Sequence, residues 1–261
     1  MGGEGSALLA IAQRDVLKLL RDAPRLAVSL AFPVLLIAGL GSVLQPTVGR
    51  VTGVDAVTLA FAGVLAATLF QSTAAGMISL AEDRETDFAR ELFVTPVSRL
   101  TLVVGKILGE SGVALLQGVC VVVCALPFGV AMSWGQLARM LPVAAACCLL
   151  GGAFGLGVVA WLPNQRSAMQ VFQFLIIPQY VLGGVLVPLH GLPGWAAAAA
   201  RAMPLRYAVQ LGRAAYFAGR PGYPAAVGAG SAAAAWVVVA VLFAVLLTGG
   251  VLVFDRRERA R

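Results

Sequence analysis

Charge is what this sequence has least of. Asp, Glu, Lys and Arg make up 12% of its 261 residues and apolar residues 60%, where a soluble domain has about a quarter and about half. A soluble globular domain is thereby excluded, and a multi-span membrane protein is expected. A chain of this length has room for about six helices of roughly 20–25 residues, and none for a separate soluble catalytic domain. Histidine is nearly missing. His190 is the sole one, no partner converges on it, and no serine-nucleophile motif or His–carboxylate pairing occurs. Nothing in the residues argues for an enzyme.

A nucleotide site is also missing. The sequence "VVGKI" around Lys106 lacks the first Gly and the hydroxyl residue of a phosphate-binding loop, so no cofactor is expected on this chain. The four cysteines, Cys120, Cys124, Cys147 and Cys148, lie inside apolar runs with no zinc spacing and no His nearby. They read as small apolar fillers, and no metal is expected. No cleavable signal peptide is evident, because the first apolar run is too long. The net charge of +7 would suggest nucleic acid on a soluble protein. Here it points to loops beside anionic lipid.

What is present is a series of long apolar runs. Hydropathy predicts an all-α membrane protein with six spans, at 26–44, 56–81, 100–131, 137–162, 167–187 and 228–254. Residues 1–25 read as an amphipathic helix in the membrane interface, with Arg14, Lys18, Arg21 and Arg25 recurring at helical spacing; an exposed helix without lipid contact is the alternative. Residues 255–261, "DRRERAR" including Asp255, form a basic tail. With six spans both ends share a side. That side carries thirteen of the nineteen Lys and Arg and the other six, so both termini are expected in the cytoplasm. Gly151, Gly152, Gly155 and Gly157 would allow close helix contact.

Two stretches fit no span. The segment 188–227 is too apolar for a solvated loop and too broken by Pro and Gly for a crossing. Two short helices dipping into the outer leaflet fit it, with turns at Pro188–Pro193 and near Pro204 and with Trp195 suited to the interface; an ordinary interfacial loop is the alternative. The segment "EDRETDFARELFVTPVSR", 82–99, concentrates charge between two apolar runs. Phe88 and Leu92 share a face, and Asp87 sits between Arg84 and Arg90 at i,i+3. A helix there must end by Thr95, because the residue before Pro96 is pushed out of the α region. A short amphipathic helix stopped by a sharp turn suits docking to a partner.

Inside the spans almost nothing can harness energy. Lys106 and Glu110, four residues apart, face each other on one helix surface and read as a local ion pair near the interface. An ion-coupled carrier needs ionisable groups at mid-membrane, and these are scarce. A secondary carrier and a non-transporting scaffold remain the alternative readings.

The stretch from Glu82 to Glu110 resembles the first cytoplasmic loop of the membrane subunits of type-2 ABC exporters. The pattern is an acidic–basic cluster, then Leu92, Thr95, Pro96, Val97, Ser98, Arg99, Gly105 and Lys106. Pro178, Gly184, Pro188, Leu192, Pro193, Pro204, Leu205 and Arg213 resemble a second family stretch, with Met203 where Asn is common. Among these proteins the chain looks most similar to daunorubicin-resistance-like drug exporters. The resemblance implies a permease subunit in a bacterial plasma membrane, paired with a second permease copy or a related chain and with two ATPase subunits that carry ATP and Mg. It implies a coupling helix at 82–94, with Glu82, Asp83, Arg84, Glu85, Asp87, Phe88, Arg90, Glu91, Leu92, Thr95 and Pro96 meeting the ATPase. It implies that Arg14, Lys18 and Arg21 lie on a helix that helps grip it. It also implies that short re-entrant helices in 189–204, with Pro188, Leu192, Pro193, Trp195 and Pro204, line the outer gate. A charge-poor interior argues against small ions and favours an amphipathic or lipid-linked cargo, with drug, lipid and polysaccharide as the open alternatives.

Overall fold

The computed structural model describes residues 23–46, 55–85, 99–162, 164–186, 189, 192–219 and 231–259. The regular structure among them is helical. Eight α-helices follow in order: α1 (Ala23–Leu44), α2 (Ala56–Glu85), α3 (Arg99–Ala125), α4 (Trp134–Trp161), α5 (Gln165–Leu182), α6 (Gly194–Arg201), α7 (Pro204–Tyr216) and α8 (Ala232–Arg259). Five of them, α1, α2, α3, α4 and α8, are long and apolar enough to cross a membrane. The run expected as the fifth span forms α5, which is shorter. Gln165, Gln170, Gln173 and Gln179 interrupt its apolar character, and it stops where Gly184 takes a φ of 77°, a backbone region that glycine enters without steric cost.

Local signals account for the helix ends. Asp55 accepts the Thr58 amide at 3.0 Å and caps α2, while Gln45 accepts from the Ala56 amide. Ser133 and Gln136 form a reciprocal capping box at the start of α4. Asn164 caps α5 through the Ser167 amide. Beyond Ala125 a 3-10 turn over Leu126–Phe128 closes the third run at Gly129, so that helix ends earlier than the 100–131 expected. In contrast, α2 continues through Glu82–Glu85 and α8 through Asp255–Arg259. Both overrun the apolar stretches that define their spans, because Glu and Arg are good helix formers.

The core is organised around α2. Of its Ala56–Ala81 stretch, 83% is buried, and α1, α3, α4, α5 and α7 all pack on it. Glycines allow the approach. A Cβ on Gly151 of α4 would overlap the Phe70 carbonyl oxygen, and one on Gly155 would overlap that of Ala74. On the other sides, a Cβ on Gly118 of α3 would meet Leu69 at 2.9 Å, and one on Gly212 of α7 would meet the Ala62 oxygen at 3.0 Å. Small residues at helix interfaces are how membrane helices gain packing without a hydrophobic driving force. Of the four glycines expected at contacts, Gly151, Gly152 and Gly155 are tight, and Gly157 only touches Leu246 at 3.9 Å.

The helix α4 carries a ruler of its own length. Trp134 at its first position is 86% exposed and Trp161 at its last is 63% exposed. Twenty-eight residues at 1.5 Å each span about 42 Å, close to the bilayer including its headgroup layers, and tryptophan favours both interfaces.

Candidate functional site

The candidate site lies where α5 and α7 pack on the α2–α4 pair, with α6 held against α5 and α7. The helix α7 is amphipathic. It buries Leu205, Ala208, Val209, Leu211, Gly212, Arg213 and Tyr216. Its C-terminal end is level with the start of α4, since Gln136 Nε2 donates to the Tyr216 oxygen at 3.0 Å. Its Ala208 oxygen lies 3.9 Å from Cys147 Sγ, near the middle of α4. The helix therefore descends from one end of the bundle to about half its depth.

A helix end at that depth leaves amide and carbonyl groups that need partners. Neighbouring helices supply them. At the deep end Met203 offers no side-chain cap and Pro204 has no N–H. The amide of Leu205 instead donates to Gln179 Oε1 of α5 at 3.2 Å, and Gln179 is buried to 2% exposure. At the other end Arg139 Nε donates to the Ala215 oxygen at 3.3 Å, beside the Gln136 bond. Tyr216 donates its hydroxyl to the Ala131 oxygen at 3.0 Å and stacks edge-on against Phe61 of α2. Met203 cannot cap the helix as a short polar side chain would, and Gln179 fills that role from another helix.

Beside this, α5 is tied to its neighbours through Tyr180. Its hydroxyl donates to Gln71 Oε1 of α2, and its ring meets Phe32 of α1 edge-on at 5.8 Å. The side of α5 that faces away from its buried Ala168, Phe172, Ile176 and Gln179 is open. Gln170, Gln173, Phe174, Ile177 and Val181 are all exposed there, so two amides sit among large apolar side chains on an uncovered face.

Among the described residues, the buried charged side chains are Glu110 and Arg213. Glu110 holds Lys106 at 2.9 Å, the ion pair that the i,i+4 spacing predicted, and its carboxylate rests on Gly76 of α2, where a Cβ would overlap it. Arg213 lies over Gly63 of α2, where a Cβ would stand 3.0 Å from its guanidinium. Arg213 was expected in an outer connection. It lies inside the bundle because α7 turns it toward α2.

The residues expected at the outer gate are distributed over this region. Pro193 is the N-cap of α6, Trp195 follows in α6 and is 75% exposed, Leu192 is half-buried, and Pro204 opens α7. Pro188 and His190 lie outside the described residues. Two short helices do occur, but the range 189–204 expected for both holds one. The second runs from Pro204 to Tyr216, because a proline is preorganised for the first position of a helix. Of the docking segment, Glu82, Asp83, Arg84 and Glu85 continue α2. Asp87, Phe88, Arg90, Glu91, Leu92, Thr95 and Pro96 lie outside the described residues, as do Arg14, Lys18 and Arg21. Sequence reading passed over Gln136, Gln179 and the glycines Gly63 and Gly76. The usable signal was the glutamines: in apolar runs they need a stated partner.

Residues 6–217 match the family described as ABC-2 type transporter. The chain is also similar to Nodulation protein J of Rhizobium meliloti (strain 1021), 27% identical over 185 residues, 70% of each chain. It is 30% identical over 184 residues to Nodulation protein J of Rhizobium leguminosarum bv. trifolii, again 70% of each. With Nodulation protein J of Sinorhizobium fredii (strain NBRC 101917 / NGR234) it shares 28% identity over 202 residues, 74% of each. Together with the apolar helices and the charge-poor core, the match places it: this multi-pass membrane protein belongs to the ABC-2 type transporter family.

Proposed function

We propose that this chain is the permease subunit of an ATP-driven exporter, with six spans and both termini in the cytoplasm. ATP and Mg act on a separate ATPase partner, present in two copies, which docks on the 82–94 segment. A second permease copy or a related chain completes the translocation path. The observation that carries this reading is the exposed face of α5. Gln170 and Gln173 stand uncovered among Phe174, Ile177 and Val181. In lipid each unpartnered amide is costly, whereas a mixed polar and apolar wall suits a path for an amphipathic cargo. On this reading α5 is the remaining span, and α6 and α7 are the re-entrant pair of the outer gate. The cargo is amphipathic, drug-like or lipid-linked, and daunorubicin is a practical first probe.

The supporting chemistry is simple. The transported molecule undergoes no reaction, so the chain needs no nucleophile or acid–base pair. It needs two arrangements of its helices and a partner that binds one of them more tightly when ATP is present. The test is co-purification with an ATP-binding cassette ATPase, followed by ATP hydrolysis and export in proteoliposomes. Phe88→Ala combined with Glu91→Lys should leave the chain inserted and abolish ATP-driven export. Export at the parent rate would reject the docking role. Export that collapses with a proton gradient, with no ATPase attached, would reject the exporter.

A further inference from the structure

The helix α2 carries two glycine notches, and each is filled by a buried charged side chain from a different helix. Gly63 receives the guanidinium of Arg213 from α7, and Gly76 receives the carboxylate of Glu110 from α3. These two are the buried charged residues among those described. They stand thirteen positions apart on one helix, a rise of about 20 Å. Charge inside a membrane bundle is kept for work or is strongly partnered, and both charges here converge on one rod.

We propose that α2 is the transmission rod of the protein, and that Arg213 and Glu110 are the positioning residues that key its two ends to the neighbouring helices. This rests on the reading of the chain as an ATP-driven exporter. The geometry gives the rod its stiffness and its grip. No proline interrupts the thirty residues of α2, which run without a break into Glu82–Glu85 at the start of the docking segment. Near that end Glu110, held by Lys106, binds α3 to the rod. Near the other end two successive residues of α7 grip two successive residues of α2. Gly212 sits close to the Ala62 oxygen, and Arg213 covers Gly63. Because α7 is joined to α6 by only Ala202 and Met203, a tilt or turn of α2 started at the docking segment moves the outer pair directly. Backbone contacts at Gly151 and Gly155 already bind α4 to α2, and Gln136, Arg139 and Gly212 tie α7 to that pair, so α7 travels with the unit and Arg213 fixes its register on α2.

The test uses the complex with its ATPase in proteoliposomes. The four native cysteines are replaced, and Trp195→Cys gives a reporter on α6. Reaction of that cysteine with a membrane-impermeant maleimide is timed with and without ATP plus vanadate, and ATP hydrolysis is measured on the same sample. In the parent complex, trapping should change the reaction rate by about threefold or more. Arg213→Ala should remove that change while hydrolysis stays within about twofold of the parent. Arg213→Lys keeps the charge without the planar fork and should restore part of it. The same change in Arg213→Ala as in the parent overturns the proposal. If Arg213→Ala fails to assemble, Gly63→Ala decides. Its Cβ presses on the far end of the arginine, so a diminished change supports the rod and an unaltered one overturns it. A parent complex that hydrolyses ATP without any change at position 195 overturns the rod, whereas a chain that binds no ATPase and exports only on a proton gradient overturns the exporter reading instead.

Discussion

Two helices of similar length, α2 and α8, sit at opposite extremes of the molecule. In α2, 83% of the spanning stretch is buried; in α8 the figure is 11%. The buried one is the less apolar of the two. In a water-soluble protein the order would be reversed. Here lipid is the apolar solvent, so the greasiest helix is free to face outward, and burial is decided by what lets helices touch closely. Gly151 and Gly155 of α4 and Gly212 of α7 let those helices close on the α2 backbone, whereas α8 presents Val237, Val241, Val245 and Leu252 outward.

The contrast can be broken most forcefully at the α2–α4 contact. Gly151→Leu places a branched side chain against the Phe70 backbone, where neither helix can yield. It should cost more than the ~3 kcal/mol of ordinary overpacking and abolish recovery of monodisperse protein in detergent. Normal recovery would show that α2 is not held as tightly as its surroundings suggest. Next in size is the ion pair. Glu110→Ala leaves Lys106 in a largely buried position and should cost about 3 kcal/mol, read as a lowered unfolding midpoint in a denaturant series. The double variant with Lys106→Met should lose less than Glu110→Ala alone, and a double-mutant cycle checks this. The smallest effect belongs to α8. Val241→Ala, on its exposed side, should change stability by no more than about 0.5 kcal/mol. A cost near 2 kcal/mol there would mean that a partner chain covers α8.

The long helices were legible because an uninterrupted apolar run in a chain this poor in charge has few other fates. The pairing of Lys106 with Glu110 was legible because it needs only the 3.6-residue repeat. The ends of α5 and α7 were not. Whether a glutamine shortens a span depends on what it bonds, and Gln179 bonds a backbone amide twenty-six residues away. The helix α7 was placed too early because Pro204 marks a turn as readily as a helix start, and the partners that stabilise its far end, Gln136 and Arg139, lie in another helix. Arg213 was misplaced for a related reason. An arginine in a connection between apolar runs is ordinarily wet, and only the notch at Gly63 makes room for it inside.

The capping of α7 also bears on how the protein is made. All three side chains that complete its ends, Gln136 and Arg139 from α4 and Gln179 from α5, precede it in the chain. Synthesis runs from the N-terminus, so each of those groups is already in the membrane when α7 arrives. A helix with unsatisfied ends would be a poor candidate for insertion by itself. Here the order of the sequence supplies the receptor before the ligand, and the last internal helix can settle into a slot that the earlier ones have finished building.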